Sequence, residues 1–219
     1  MKKIGIIGGA GPLASALLYE TLVKECYLLR KIVPEIVLIS YPFTRGLTLQ
    51  ESENHRILKH ELTQAIASLH QHGVGIALLA CNTLHMYLEE IPSSLSFMPL
   101  PQAVLQEAAS NGHRRLLILG TQNTCTQELY KYPGVTLIYP QSEEQALIDR
   151  IIDQVLGGNI LPEDAFLISQ LLEQKRGYDG VVLGCTELPV LHHHFPLRCV
   201  LPIYDSIKIP AKKLIKGLL

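Results

Sequence analysis

Two stretches of the sequence could each carry a reactive thiol to an exposed edge. The first is Ala77-Leu78-Leu79-Ala80-Cys81-Asn82-Thr83-Leu84-His85, and the second is Val181-Val182-Leu183-Gly184-Cys185-Thr186-Glu187-Leu188-Pro189. Each is an apolar run, then a cysteine, then a small polar residue able to cap a helix. Each therefore reads as a buried parallel strand whose carboxyl end delivers a thiol to the start of a helix, and ligands of open α/β sheets bind at that edge. A thiol at a helix N-terminus is expected to have a lowered pKa, because the dipole favours the thiolate. Whether Cys81 and Cys185 face one another depends on how the rest of the chain places the two strand ends. Cys26 and Cys199 read as small buried hydrophobes, and Cys125 does so less clearly.

Other residues compete for a chemical role. Gly9-Ala10-Gly11-Pro12-Leu13-Ala14 has the G-x-G-x-x-A form of a dinucleotide fingerprint. The acidic residue that should end the second strand is absent from Leu38-Ile39-Ser40-Tyr41, and Pro12 removes a backbone donor. The turn reads better as one that lets the backbone approach a ligand or an opposing domain. Arg45 follows the second strand and offers its fork of donors to a carboxylate, although an exposed loop arginine explains it equally. Thr121 and Thr124 lie at another strand end, where they could bind a carboxylate or cap a helix. Cys81 and His85 are four residues apart, and His192-His193-His194 follow Cys185. Three consecutive histidines cannot all face one site, and no second cysteine lies at zinc spacing, so no metal is expected and the histidine run reads as a solvated loop.

The elements that must position these residues follow from the hydrophobic pattern. Strands are expected over 3–7, 36–40, 75–80, 115–119, 135–139, 181–183 and 200–203, with helices over 13–29, 53–72, 83–90, 102–111, 143–156, 162–176 and 206–218. The two halves repeat one order: strand, turn, helix, strand, loop, helix, strand, cysteine, helix. Two such α/β units with facing strand ends would enclose a cleft. The 219 residues suit one large domain or two small ones. With 47% hydrophobic and only 18% charged residues, strands buried on both faces dominate. A net charge of −1 gives no basic face for nucleic acid, and five cysteines make no secreted disulfide framework. Lys2, Lys3 and the apolar residues after them imitate a signal peptide, but glycines and Pro12 break the stretch, so a cytoplasmic protein is expected. No apolar run approaches the roughly 20 residues that span a bilayer.

Taken together, Gly8-Gly9-Ala10-Gly11-Pro12, Ala80-Cys81-Asn82-Thr83-Leu84-His85, Leu119-Gly120-Thr121 with Thr124, Gly184-Cys185-Thr186-Glu187 and Leu201-Pro202-Ile203-Tyr204-Asp205 resemble the aspartate/glutamate racemase family. The resemblance runs over nearly the whole chain in the right order. It implies an α/β fold of two pseudo-symmetric parallel-sheet domains with the active site in the cleft between them. Residues 1–98 plus 206–219 would form the first domain and 99–205 the second, in a likeness that also implies a homodimer. It implies a cofactor-independent isomerase that racemises a small amino acid, with Cys81 and Cys185 as paired acid and base. Gly9, Ala10, Asn82, Thr83, Thr121, Thr124, Thr186 and Glu187 would bind substrate, and Arg45 would grip a side-chain carboxylate. Aspartate-specific members of the family add a lysine before the last long helix. Gly157-Gly158-Asn159-Ile160-Leu161-Pro162 has none, which leaves other substrates open. The alternatives are a racemase of other α-carboxylates, an isomerase or a decarboxylase on the same scaffold, or a nucleotide- or metabolite-binding module. Decarboxylases of this scaffold tend to keep one cysteine, and the pair argues against them.

Overall fold

A computed structural model of the chain describes residues 3–29, 32–44 and 52–218. Two four-stranded parallel sheets organise it. The first runs β2 (Ile36–Ser40), β1 (Ile4–Gly8), β3 (Ile76–Leu79), β4 (Ser96–Phe97). The second runs β6 (Thr136–Ile138), β5 (Arg115–Leu119), β7 (Gly180–Leu183), β8 (Ile203–Asp205). The order is the same in both, so β1 corresponds to β5 and β3 to β7. The central strands β1 and β7 are buried along their length, as is β5 after Arg115, which is why they read as apolar runs.

Helices cover both sheets. They are α1 (Pro12–Leu28), α2 (Ser52–Gln71), α3 (Leu100–Ser110), α4 (Gln122–Thr126), α5 (Ser142–Leu156), α6 (Pro162–Gln174), α7 (Glu187–His194) and α8 (Lys208–Gly217), with a 3₁₀ segment at Thr83–Glu90. Alternation along each strand divides the core. Ile4, Ile6 and Leu78 of the first sheet and Leu117, Leu119, Val181 and Leu183 of the second share one cluster with Leu18, Leu22, Ile148, Ile151, Leu214 and Ile215. Ile7, Ala77 and Leu79 face the other way, onto Leu62, Ile66 and Leu69 of α2. Leu116, Ile118 and Val182 pack with Val104, Ala108 and Tyr204. The shared central cluster holds the carboxyl ends of the two sheets against each other, and α8 returns to pack on α1.

Three expectations need correction. The last strand lies at Ile203–Asp205 rather than 200–203, and β4 was not anticipated, since two residues are too few to show periodicity. The histidine run is not a loop. His192, His193 and His194 form the last turn of α7, where imidazoles suit the negative end of the helix. Among the described residues no helix is long and apolar enough to cross a membrane.

A buried polar knot ties the halves together behind the strand ends. Tyr130 Oη, on a fully buried side chain, donates to Asn82 Oδ1 at 3.0 Å, and Asn82 Nδ2 donates to Ser206 Oγ at 3.2 Å. Tyr130→Phe keeps the shape but leaves Asn82 Oδ1 without its donor, and should cost about 1–3 kcal/mol. Urea denaturation measures this, and a midpoint equal to that of the parent would show the knot to be idle.

Candidate functional site

The two cysteine turns are geometrically equivalent. Beyond β3, the Ala80 amide continues the ladder to Ile7 O at 2.8 Å; beyond β7, the Gly184 amide does the same to Leu119 O at 2.6 Å. Cys81 and Cys185 are the next residues, so each sheet extends its thiol past its own carboxyl edge. Gly184 replaces alanine because a Cβ there would lie 3.0 Å from both Ile118 Cγ2 and Leu119 O. Both thiols border a single cavity of about 190 Å³. Ala10, Thr83, Thr121 and Glu187 border it too, as do Gly11, Phe43, Thr44, Leu58, Leu84, Ile152, Asp153 and Leu156.

The remaining expected residues stand outside that lining. Gly9 is fixed by its backbone: φ is +106° and a Cβ would lie 1.9 Å from Tyr41 O, so the turn presses on the loop after β2. Thr124 is buried; its amide donates to Thr121 Oγ1 at 3.1 Å, which makes Thr121 the N-cap of α4. Asn82 and Thr186 occupy N-cap positions but make no side-chain cap, because their helical backbone angles turn the side chains away. Asn82 joins the Tyr130–Ser206 knot instead, and Thr186 Oγ1 lies 3.4 Å from Ala80 O across the halves. Arg45 lies outside the described residues.

Glu187 is the charged group at the thiols. Its Oε2 accepts from Cys185 Sγ at 2.8 Å, with Thr186 Oγ1 3.2 Å away. A Cβ on Gly11 would fall 2.0 Å from its Oε1, so the first-half turn lies directly against this carboxylate, and a side chain there would have to move the Glu187 tip. Burial, together with the neighbouring Glu187 charge and its hydrogen bond, pushes Cys185 well above the ordinary thiol range. Burial also pushes Cys81 up to about 12, although the Leu84 and Thr83 amides pull the other way. The helix-terminus donors expected from the sequence are present, but desolvation outweighs them.

His85 has a structural task. Cys81 O lies 2.8 Å from Nδ1, and Leu100 N donates to Nε2 at 3.2 Å, so the proton resides on Nδ1. Burial drops its pKa to about 4, leaving it neutral, and both ring nitrogens are engaged. Among the described residues no three His, Cys, Asp or Glu side chains converge to hold a metal ion. Cys26 is core, and Cys125 Sγ donates to Gln145 Oε1 at 3.5 Å. The cavity is smaller than the roughly 300 Å³ at which pockets for drug-sized ligands begin, and it suits an amino acid far better than a dinucleotide.

With its pKa pushed up to about 12, Cys81 is held as the thiol at pH 7. Its alkylation by iodoacetamide, followed by mass spectrometry, should therefore accelerate about tenfold per pH unit between pH 7 and 10. A plateau by pH 8 would mean that the helix terminus prevails over burial.

Comparison with known proteins gives the chain its relatives. The profile of the Asp/Glu/Hydantoin racemase family matches residues 7–214. The broad specificity amino-acid racemase RacX of Bacillus subtilis is 25% identical over 221 residues, covering 95% of each chain. The crystal structure of an aspartate racemase homologue from Pyrococcus horikoshii superposes with a TM-score of 0.76 at 28% identity, covering 99% of both chains. The aspartate racemase of Picrophilus torridus gives 0.75 at 21% identity, over 99% of this chain and 94% of its own, and supports the fold. The chain belongs to the Asp/Glu/Hydantoin racemase family.

Proposed function

We propose that this racemase inverts the α-carbon of a free amino acid without a cofactor, using Cys81 and Cys185 as two bases on opposite faces of the substrate. Its family makes the chain an isomerase acting on small amino acids. The observation that carries the two-base reading is that the two thiols, one from each sheet, border the same cavity. Residues 1–98 with 206–219 and residues 99–205 act as the two jaws, each bringing one sulfur.

Inversion requires that the α-proton leave one face and a proton arrive on the other. A single base would have to cross the substrate or wait for exchange with solvent. With two sulfurs, a thiolate takes the Cα proton while the opposite thiol delivers its own, and the two exchange roles. The active pair therefore holds one proton between two sulfurs. At rest both are neutral, so one proton must first be stored elsewhere. Glu187 Oε2, already accepting from Cys185, is placed to take it. The shift turns a carboxylate and a thiol into a carboxylic acid and a thiolate, with no change in net charge and no charge moved from water into the cleft. Glu187 then releases the proton back when the cycle rests.

Thr83 and Thr121 border the cavity with hydroxyls that can meet the α-carboxylate, whose oxygens gain charge as the carbanion forms. Ala10 and Gly11 bring backbone to the same wall. Gly9, Asn82, Thr124 and Thr186 hold these groups in position from behind, and the expected carboxylate partner Arg45 lies outside the described residues.

Cys81→Ala and Cys185→Ala should each lower interconversion by at least about 10³-fold, within the 10²–10⁴-fold worth of a positioned acid or base. Chiral chromatography measures the rate and circular dichroism the retained fold. Full activity in either variant overturns the two-base assignment.

A further inference from the structure

One face of α5 does two different things. Gln145, Asp149, Ile152 and Leu156 follow the helical repeat and share that face. Ile152 and Leu156 border the cavity. Gln145 and Asp149, nearer the start of the helix, hold the turn that joins β5 to α4. The Gln145 side chain is buried, and its Nε2 donates to Gly120 O at 2.8 Å and to Asp149 Oδ1 at 3.2 Å. Asp149 Oδ1 also accepts from the Gln122 amide at 3.0 Å. Cys125 Sγ, on α4, donates to Gln145 Oε1. A backbone carbonyl can only accept, so the nitrogen end of the Gln145 amide is the one that faces Gly120.

These contacts bracket a single residue. Gly120 O belongs to the peptide plane before Thr121 and the Gln122 N–H to the plane after it, and each plane is rigid. Gripping both planes from α5 fixes the backbone of Thr121, which sits at φ −63° and ψ 156°. Thr121 Oγ1 accepts from the Thr124 amide at 3.1 Å. The buried Thr124 hydroxyl lies 3.1 Å from the same oxygen and has no other acceptor among the described residues, so it donates there. The Thr121 proton is then left for the cavity that Thr121 borders. Gln145 does not border that cavity, and a buried amide on this face carries a desolvation cost that an apolar side chain would not. Building on the racemase reading, we propose that Gln145, with Asp149 one turn on, is a positioning residue for racemisation: it sets the two peptide planes around Thr121 and so aims the Thr121 hydroxyl at the substrate's α-carboxylate. It acts through Thr121 and touches no substrate itself.

The test is a double-mutant cycle between Gln145 and Thr121, read as initial racemisation rates on the amino acid that the parent turns over fastest. Gln145→Met keeps the length of the side chain and loses both donors. Its kcat/KM should fall about tenfold or more, with KM raised as well as kcat lowered. A defect of folding alone would remove active molecules and lower kcat with KM unchanged. In a Thr121→Val background the same substitution should cost less than about twofold, because the hydroxyl it aims is gone. Thr121→Ser keeps the hydroxyl and the cap, and should keep the full Gln145→Met penalty. Asp149→Ala, at a half-exposed position, should lose about threefold by the same route, and answers the question if circular dichroism shows Gln145→Met unfolded. Equal penalties in the parent and Thr121→Val backgrounds, an unchanged KM, or no fall in a folded variant overturns the positioning role while leaving the racemase intact. A parent that turns over no amino acid overturns the racemase reading and this proposal with it.

Discussion

The site depends on one buried carboxylate at which the two halves meet. Gly11, in the turn after β1, meets the carboxylate of Glu187, at the start of α7, so closely that a Cβ would sit 2.0 Å from Oε1. That carboxylate in turn accepts a hydrogen bond from the Cys185 thiol at 2.8 Å. The first sheet therefore presses its glycine turn onto the group that governs the thiol of the second sheet. The central hydrophobic cluster, built from both sheets, supplies the force that keeps the two edges together. The Tyr130–Asn82–Ser206 knot and the Thr186–Ala80 approach set the register of the edges. The two halves thus meet at the same carboxylate that hydrogen-bonds the Cys185 thiol.

Electrostatics in this cleft is decided by burial. Helix and 3₁₀ termini offer amide donors to both sulfurs, yet burial, reinforced by the Glu187 charge, favours the protonated thiols. A free thiolate made by losing its proton to bulk water would be rare. Moving the proton a short way to Glu187 avoids that cost, since the total charge of the group is unchanged. The carboxylate that opposes ionisation of Cys185 is thus the same group that can receive its proton.

Much of this was legible in the sequence, and the residues explain where legibility ended. Buried parallel strands such as Ile4–Gly8 and Val181–Leu183 announce themselves as apolar runs, and the cysteine that ends each turn is fixed by the strand before it. The equivalence of the halves could be read from element order because both sheets use one topology. Three things were hidden because they are set by residues distant along the chain. The partners of Asn82 and Thr186 come from across the molecule, and no local pattern separates a capping residue from a strut. The net sign of the thiol shifts depends on how much water the fold removes, whereas the sequence displays only the donors. Leu58, Ile152 and Asp153 border the cavity from helices otherwise marked only by amphipathic spacing, so their place was visible only once α2 and α5 were docked.

The central claim is that each face of the α-carbon has its own sulfur, and isotope tracing of the first turnovers tests it most directly. One pure enantiomer is supplied in deuterium oxide, and both enantiomers are separated and examined for deuterium at Cα before a tenth of the substrate has reacted. Two bases predict that the newly formed enantiomer is deuterated throughout while the remaining starting enantiomer keeps its protium. A newly formed enantiomer that retains protium would mean that one group carries the same proton across the substrate, and would contradict the account.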